Sequence, residues 1–443
     1  MSKKLSGFPE FLPRERAVEQ QVLDHLRRTF ELHGFANIET RAVEPLDVLL
    51  RKGEIDKEVY AVKRLAADPS EPAELALHYD LTVPFARYVL ENAGKLEFPF
   101  RRWQVQKVWR GERPQQGRFR EFTQADIDVV GRDVLPFHFD VEVARVMAEA
   151  LAGLPIPTAT LQISNRKVLE GFYLGLGVES PTAVMQVVDK LDKVPAEKIR
   201  ELLLEQGLGG DQADKVLGLA EIVTTDTSFV GRVEALGVEH DLLAEGLAEL
   251  AQVIDGASGV DGVVVTADLR IARGLDYYTG TVFETRLEGW EHLGSICSGG
   301  RYDQLAQDRR NTYPGVGISL GVSRLLVPLA LSASRSVPSA VLVAVDDESS
   351  RAESNAIAQQ LRANGIPTEV APKADKFGKQ IQHAEKRGIP FVWFPPAQVR
   401  DIRSGEQTDA DPTTWSPAPE DLTPNILDTV DPTVTQPSKE KNL

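Results

Sequence analysis

The sequence predicts an α+β protein: one antiparallel sheet flanked by helices, interrupted by a helical segment and followed by a separate α/β domain. Three observations carry this expectation. Short apolar segments split by polar connectors run from about residue 75 to 131 and resume in GVVVTADLR and beyond. A stretch rich in Leu, Ala, Glu and Lys lies between them, from about 164 to 255. After Ser336, strand-like and helix-like segments alternate with short loops.

The first element is a helix from Arg14 to Gly34, because Val18, Val22, Leu26 and Phe30 recur every four positions and Gly34 can end it. FPFRRWQVQKVW and FREFTQADIDVVG follow as antiparallel strands, and DVEVARVMAEALAGL as a helix. Ser180-Pro181 and Pro195 mark helix starts within the 164–255 insertion. TGTVFETRL, SICSGGRYDQL and GVGISLGVSRLL then complete the interrupted sheet. SAVLVAV, IPTEVAP and IPFVWF, separated by two helices that end at Gly365 and Gly388, predict a parallel α/β domain. Beyond about Gln407, Pro, Thr and Asp dominate, as in a loosely ordered tail. The expected division is thus 1–163 with 256–335 as the main domain, 164–255 as the insertion, 336–407 as the α/β domain and 408–443 as the tail.

With 443 residues, 50 Lys+Arg against 66 Asp+Glu and a formal net charge of −16, the chain has no general affinity for nucleic acid or anionic membrane to offer. Any RNA partner must be held by local basic patches. The single cysteine, Cys297, excludes an internal disulfide or a multi-cysteine zinc site and reads as a small core residue in a reducing compartment. No secretory leader or spanning stretch is read in the sequence, so a soluble cytoplasmic protein is expected. The seven histidines show no metal-ligand spacing.

Four segments could carry chemistry. WRGERPQQGRFREF sets Arg110, Arg113, Arg118 and Arg120 in one polar loop, with Phe119 and Phe122 alternating with them. Planar guanidinium groups suit phosphate oxygens and aromatic faces suit a base, although a solvated basic hairpin tip would look the same. TADLRIARGLDYYTGTVFE places Arg273 and Asp276 at a strand end, with Tyr277 and Tyr278 entering the next strand on opposite faces by the period of two; a structural Arg-Asp pair is the plain alternative. Glycines 299, 300, 315, 317 and 321 permit close approach of a ligand to the sheet, while the spacing of GVGISLG rules out a dinucleotide fingerprint. In ALHYDLTVPFARY, Asp80 could cap a helix or bind an amine.

Together these segments resemble the histidyl-tRNA synthetase family, a class II aminoacyl-tRNA synthetase family, over nearly the whole chain to about Gln407. RGLDYYTGTVFE is similar to that family's histidine-recognition segment, WRGERPQQGRFREF to class II motif 2, GVGISLGVSRLL to motif 3, and SGGRYDQL to the floor of the histidine pocket. The resemblance implies a class II antiparallel sheet, a helical insertion and a C-terminal anticodon-binding domain. It implies ATP and Mg²⁺, L-histidine and histidine tRNA as substrates and partners, and a homodimer. Arg110 would hold the α-phosphate and Arg273 the charge that grows as pyrophosphate leaves; Arg118 would meet the outer phosphates, and Phe122 and Arg324 would sandwich adenine. Asp80, Thr82 and Gln124 would bind the histidine ammonium, and Asp128 and Tyr278, with Tyr277, Tyr302 and Arg273 nearby, would form the ring pocket. Asp128 stands where the family often has glutamate, and Arg41 about where motif 1 usually has proline, with Pro45 four residues later. No side chain is predicted as a direct metal ligand. The rival resemblance is the synthetase-like regulatory subunit of ATP phosphoribosyltransferase, a histidine sensor, which lacks the C-terminal domain and is weighed against by Arg110 and Arg324. A ligase that uses no tRNA, or an interaction protein, on this fold is a third reading.

Overall fold

A computed structural model describes residues 5–50, 58–68, 70–272, 277–329 and 333–426. Two compact units emerge, one built on Leu23–Pro328 and one on residues 333–426, with the first part of the N-terminal helix grouping with the second. That helix, α1 (Pro13–Leu32), has Val18, Val22, Leu26 and Phe30 fully buried, as their spacing predicts, and Gly34 follows it at a φ of 76° that favours glycine.

In the first unit the chain passes through β1 (Ala36–Asn37), β2 (Val43–Pro45), α2 (Leu46–Leu49), β3 (Ala61–Val62), β4 (Leu75–Leu77) and α3 (Thr82–Asn92). The long hairpin partners β5 (Phe100–Trp109) and β6 (Glu121–Val130) follow, then α4 (His138–Ala152), β7 (Ala159–Asn165) and α5 (Arg166–Gly175). Next come α6 (Pro181–Val188), α7 (Ala196–Glu205), α8 (Gly210–Ala220), β8 (Val223–Thr224), α9 (Phe229–Glu234) and α10 (Asp241–Ala257). The unit closes with β9 (Val263–Asp268), β10 (Thr281–Leu287), β11 (Cys297–Tyr302), β12 (Gly315–Gly321) and the short α11 (Val322–Leu325).

Nine strands form one sheet in the order β1-β5-β6-β12-β11-β10-β7-β9-β8, antiparallel except at β1-β5 and β7-β9. Segments separated by the helical stretch therefore lie side by side, β12 pairing with β6 and β10 with β7. The fold class is the expected α+β, with an antiparallel-rich sheet. Helices α5 and α10 pack on each other, α5 also on β7, and α10 also on α4 and the sheet, so both ends of the 164–255 segment belong structurally with the sheet layer.

Period two gives this sheet two chemical faces. Along β6, Ala125, Ile127 and Val129 are buried apolar residues, while Gln124, Asp126 and Asp128 form the opposite face. β5 presents Arg102, Gln104 and Gln106 directly across from Asp128, Asp126 and Gln124. On the other side β12 sets Gly317, Ser319 and Gly321 against the same three residues. A polar ladder thus runs along one face of the central strands.

In the second unit, β13 (Val341–Val343), α12 (Arg351–Ala363), β14 (Thr368–Val370), α13 (Phe377–Arg387) and β15 (Phe391–Phe394) make the expected alternation, with parallel pairs β13-β14 and β13-β15. The sheet is mixed rather than wholly parallel, because β16 (Gln398–Asp401) and β17 (Gln407–Asp409) add to it antiparallel. The loosely ordered tail expected from 408 onward also needs correction as far as the described residues reach. Trp415 stands edge-on to Phe391 and Trp393, at 5.3 and 5.7 Å between ring centroids, and Leu422 packs on the same core. Two apolar anchors outweigh the polar composition around them. Trp415→Ala is expected to destabilise this unit by about 2–3 kcal/mol, a fair part of a truncated aromatic's cost, read as a lower urea midpoint; a loose tail would show no change.

Candidate active site

A cavity of about 290 Å³ opens over the polar face, lined by Asp80, Thr82, Arg110, Glu112, Arg118, Phe119, Phe122, Gln124, Tyr277, Tyr278 and Arg324, with Ser295 to Ser298, Ser319 and the glycines at 117 and 321. Of the residues expected in a site, nine meet here: Asp80, Thr82, Arg110, Arg118, Phe122, Gln124, Tyr277, Tyr278 and Arg324. Arg273 and Asp276 lie outside the described residues. Asp128 and Tyr302 are buried, each 3% exposed, and are not among the side chains that line the cavity.

One end of the cavity is cationic. Arg110 follows β5; its Nε donates to the Tyr79 carbonyl at 2.9 Å and its guanidinium lies 5.2 Å from the Phe122 ring. Arg118 pairs with Glu112 at 3.0 Å, and Arg324 donates to the carbonyls of Gly117, at 3.4 Å, and Ser295. Burial holds the Arg324 guanidinium below its ordinary pKa, and the charges of Arg118 and Arg110 press it further down. Three arginines that repel one another in a protein of net charge −16 form a site that a polyanion would relieve. The other arginines of the loop do different work: Arg120 donates its Nε to the Glu112 carbonyl at 3.2 Å, and Arg113 is exposed.

The other end is acidic and aromatic. Asp80 lies one residue before Leu81, the N-cap of α3, and accepts the first-turn Val83 amide at 3.2 Å while lining the cavity. Tyr277 and Tyr278 do not point to opposite faces as expected, because β10 begins only at Thr281; their rings lie 4.1 Å apart and both line the cavity. Beneath them, the Tyr302 hydroxyl donates to Asp128 Oδ1 at 2.7 Å, and the fully buried Arg102 stands 2.6 Å from Asp128 Oδ2. Burial pushes the Asp128 carboxyl up to about 7, with Arg102 opposing and Asp126 reinforcing the shift. Burial likewise raises Asp126, which accepts from Gln124 Nε2 at 3.0 Å.

Four of the glycines singled out in the sequence make room for protein groups rather than for a ligand, Gly299 for the Gly317 carbonyl, 2.1 Å from where its Cβ would fall. A Cβ at Gly300 would fall 2.9 Å from the Tyr278 ring, at Gly315 2.4 Å from the Tyr302 ring, and at Gly317 2.1 Å from Asp128 Oδ1. Gly321 faces more open space. Cys297 is 1% exposed beside the cavity and burial pushes its thiol up to about 12, leaving it unreactive at neutral pH. Arg102, Gln104, Asp126 and Glu112 were not singled out in the sequence. The period of two in RRWQVQ and QADID was the available signal for the first three.

Comparison with known proteins decides the family. A family model described as "Histidyl-tRNA synthetase" matches residues 7–325, and one described as "Anticodon binding domain" matches residues 339–394. The chain belongs to the histidyl-tRNA synthetase family. It is 58% identical to a histidine–tRNA ligase of Cutibacterium acnes, covering 96% of this chain and 99% of the relative. It is also 58% identical to one of Micrococcus luteus, again over 96% and 99%. A crystal structure of histidyl-tRNA synthetase from Nostoc sp. PCC 7120 aligns at a TM-score of 0.81 with 34% identity, covering 92% of this chain and 96% of that one. A structure titled as an ATP phosphoribosyltransferase regulatory subunit/histidyl-tRNA synthetase from Bacillus halodurans C aligns at 0.73 with 21% identity, which speaks to the fold alone. For a histidyl-tRNA synthetase family member, the cationic end, the aromatic pair and the buried carboxylates fall within the matched range 7–325. Arg41, near the expected motif 1 proline, pairs with the buried Glu44 at 3.1 Å, and Arg87 reaches the same carboxylate at 2.8 Å.

Proposed function

We propose that this protein activates L-histidine with ATP and ligates it to the 3' end of histidine tRNA. The observation that carries the reading is the single cavity in which Arg110, Arg118, Phe122 and Arg324 meet Asp80, Thr82, Gln124, Tyr277 and Tyr278. The histidine carboxylate attacks the α-phosphorus of ATP, pyrophosphate leaves, and histidyl-adenylate stays bound until the terminal adenosine of the tRNA takes the histidyl group. Holding both substrates in register is worth roughly 7–11 kcal/mol of the barrier, and fixed cations aimed at the phosphates add to it.

Arg110 holds the α-phosphate from its anchor on the Tyr79 carbonyl, and Arg118 meets the outer phosphates. Phe122 and Arg324 bracket the adenine. Asp80, Thr82 and Gln124 take the ammonium, Tyr277 and Tyr278 the ring, and Asp128 and Tyr302 set the polarity behind them. Arg273 is assigned the charge that develops on phosphate. Mg²⁺ enters with ATP as part of that substrate. Among the described residues no cluster of three or more metal-ligating side chains occurs, and the cavity offers the Asp80 and Glu112 carboxylates, the latter already paired with Arg118. A pocket that pairs both ring nitrogens leaves buried polar groups unmatched with other amino acids, rejecting them by about 10⁴-fold.

The protein is assigned to the cytoplasm and to a homodimeric state, with residues 1–163 and 256–335 as the catalytic domain, 164–255 as the insertion and 336–407 as the anticodon-binding domain. Among the described residues no helix is long and apolar enough to cross a membrane. The test is charging of histidine tRNA with labelled histidine, ATP and Mg²⁺. Charging is expected; adenylate formation without charging would point to an activating module that uses no tRNA, and histidine binding with neither step to a sensor.

A further inference from the structure

Beneath the cavity floor lies a charged cluster in which Arg102 and Asp126 have no task in the mechanism above. Arg102 is completely buried, 2.6 Å from Asp128 Oδ2 and 3.6 Å from Asp126 Oδ2. Its Nη1 donates to Gln104 Oε1 at 3.2 Å, and its guanidinium lies 4.4 Å from the Phe85 ring. The register of β5 on β6 sets Arg102 directly across from Asp128 and Gln104 across from Asp126, so the cluster is built into the strand pairing. Stability alone does not account for it, because well-packed apolar residues usually serve as well as a buried ion pair.

We propose that Arg102 is a positioning residue for histidine recognition: it balances the paired carboxylates and biases Asp128 toward its ionised, acceptor-only form behind the histidine end of the cavity. The proposal rests on the cavity's being a histidine-activating site. Its geometry is specific. The Tyr302 hydroxyl donates to one Asp128 oxygen and the Arg102 cation stands at the other, so a proton on either oxygen would face a donor. The groups facing Asp128 are Arg102 on β5, Asp126 on its own strand, Tyr302 on β11, Tyr278 ahead of β10 and Asp80 ahead of α3. Burial is the largest upward influence on Asp128, and Arg102 is the largest downward one.

The sign follows. Asp128 ionises as pH rises through its pKa; removing Arg102 moves that passage to higher pH, and removing the Asp126 charge moves it to lower pH. The experiment measures the KM for histidine in ATP–pyrophosphate exchange by the full-length protein from about pH 6 to about pH 9, the range over which such a group titrates. Histidine's own ring and ammonium titrate identically in every variant and cancel in the ratio to wild type. Arg102→Met should raise the KM about tenfold at pH 7 and by less than about threefold near pH 9, with kcat at saturating histidine within about threefold. Arg102→Lys should keep most of the wild-type profile, and the double variant R102M/D126N should recover histidine affinity at pH 7.

An increase in KM by one factor at every pH, or no recovery in the double variant, would overturn the proposal while leaving the activity assignment intact. If R102M does not fold, Asp126→Asn alone decides: a shift of the KM transition to lower pH supports the role, and an unmoved transition refutes it. Absence of histidine-dependent exchange in the wild-type protein would instead defeat the reading of the cavity, and this proposal with it.

Discussion

Arg110→Ala is expected to lower the kcat/KM for adenylate formation about 10³-fold while leaving histidine binding in the absence of ATP within about threefold. The asymmetry comes from where Arg110 sits. Its guanidinium lies beside Phe122, where the adenine and α-phosphate are placed, and it is not among the groups assigned to the histidine ammonium or ring. Loss of the hydrogen bond from Arg110 to the Tyr79 carbonyl costs about 1 kcal/mol of stability, too little to unfold the protein. Loss of a fixed cation from a phosphate whose charge is rearranging costs about 3–4 kcal/mol of barrier, so the catalytic effect dominates. Arg110→Lys should recover only part of the rate, because an ammonium is a point charge without the planar fork. Single-turnover rates and equilibrium histidine binding on the same preparation check this; equal losses in both would mean that Arg110 supports the pocket rather than the transferring phosphate.

The second large effect is expected at Gly317. A methyl group there would lie 2.1 Å from Asp128 Oδ1 and 2.6 Å from the Ile127 carbonyl, a strand neighbour that cannot step aside. Gly317→Ala must therefore drive the Asp128 carboxylate away from Tyr302 and Arg102. Breaking one side of a buried charge cluster typically costs about 3–5 kcal/mol, so the midpoint of unfolding should fall clearly. In whatever protein remains folded, the KM for histidine should rise at least about tenfold while the KM for ATP changes by less than about threefold, since the nucleotide end is built from Arg110, Phe122 and Arg324. Thermal unfolding and the two KM values measure this directly. Unchanged stability and an unchanged KM for histidine would show that Asp128 can move without consequence.

Much of the architecture was legible because one periodicity spoke for each element. Val18, Val22, Leu26 and Phe30 could form only one helical face, and all four are buried. The strands of the interrupted sheet were legible as strands, but their pairing across the helical segment, such as Thr281 with Asn165, is a long-range fact that no local pattern contains. The cavity residues that bear obvious chemistry, among them Arg110, Phe122, Gln124 and Arg324, were readable from their motifs. The buried cluster was not, because Arg102 acquires its meaning only from the register that sets it across from Asp128. Gly300, Gly315 and Gly317 were read as space for a ligand, yet their missing side chains admit Tyr278, Tyr302 and Asp128; absence of a Cβ says that something approaches closely and not what. Trp415 and Leu422 show the converse, since two apolar side chains order a segment whose composition reads as loose.

The central claim is that one cavity holds both an activated nucleotide and histidine. Its most direct measurement is exchange of labelled pyrophosphate into ATP by the purified full-length protein, with each of the twenty amino acids supplied in turn. Exchange with histidine, at least about 10⁴-fold above that with any other amino acid at equal concentration, is the predicted result. Exchange that is absent with histidine, or equally fast with another amino acid, would contradict the account.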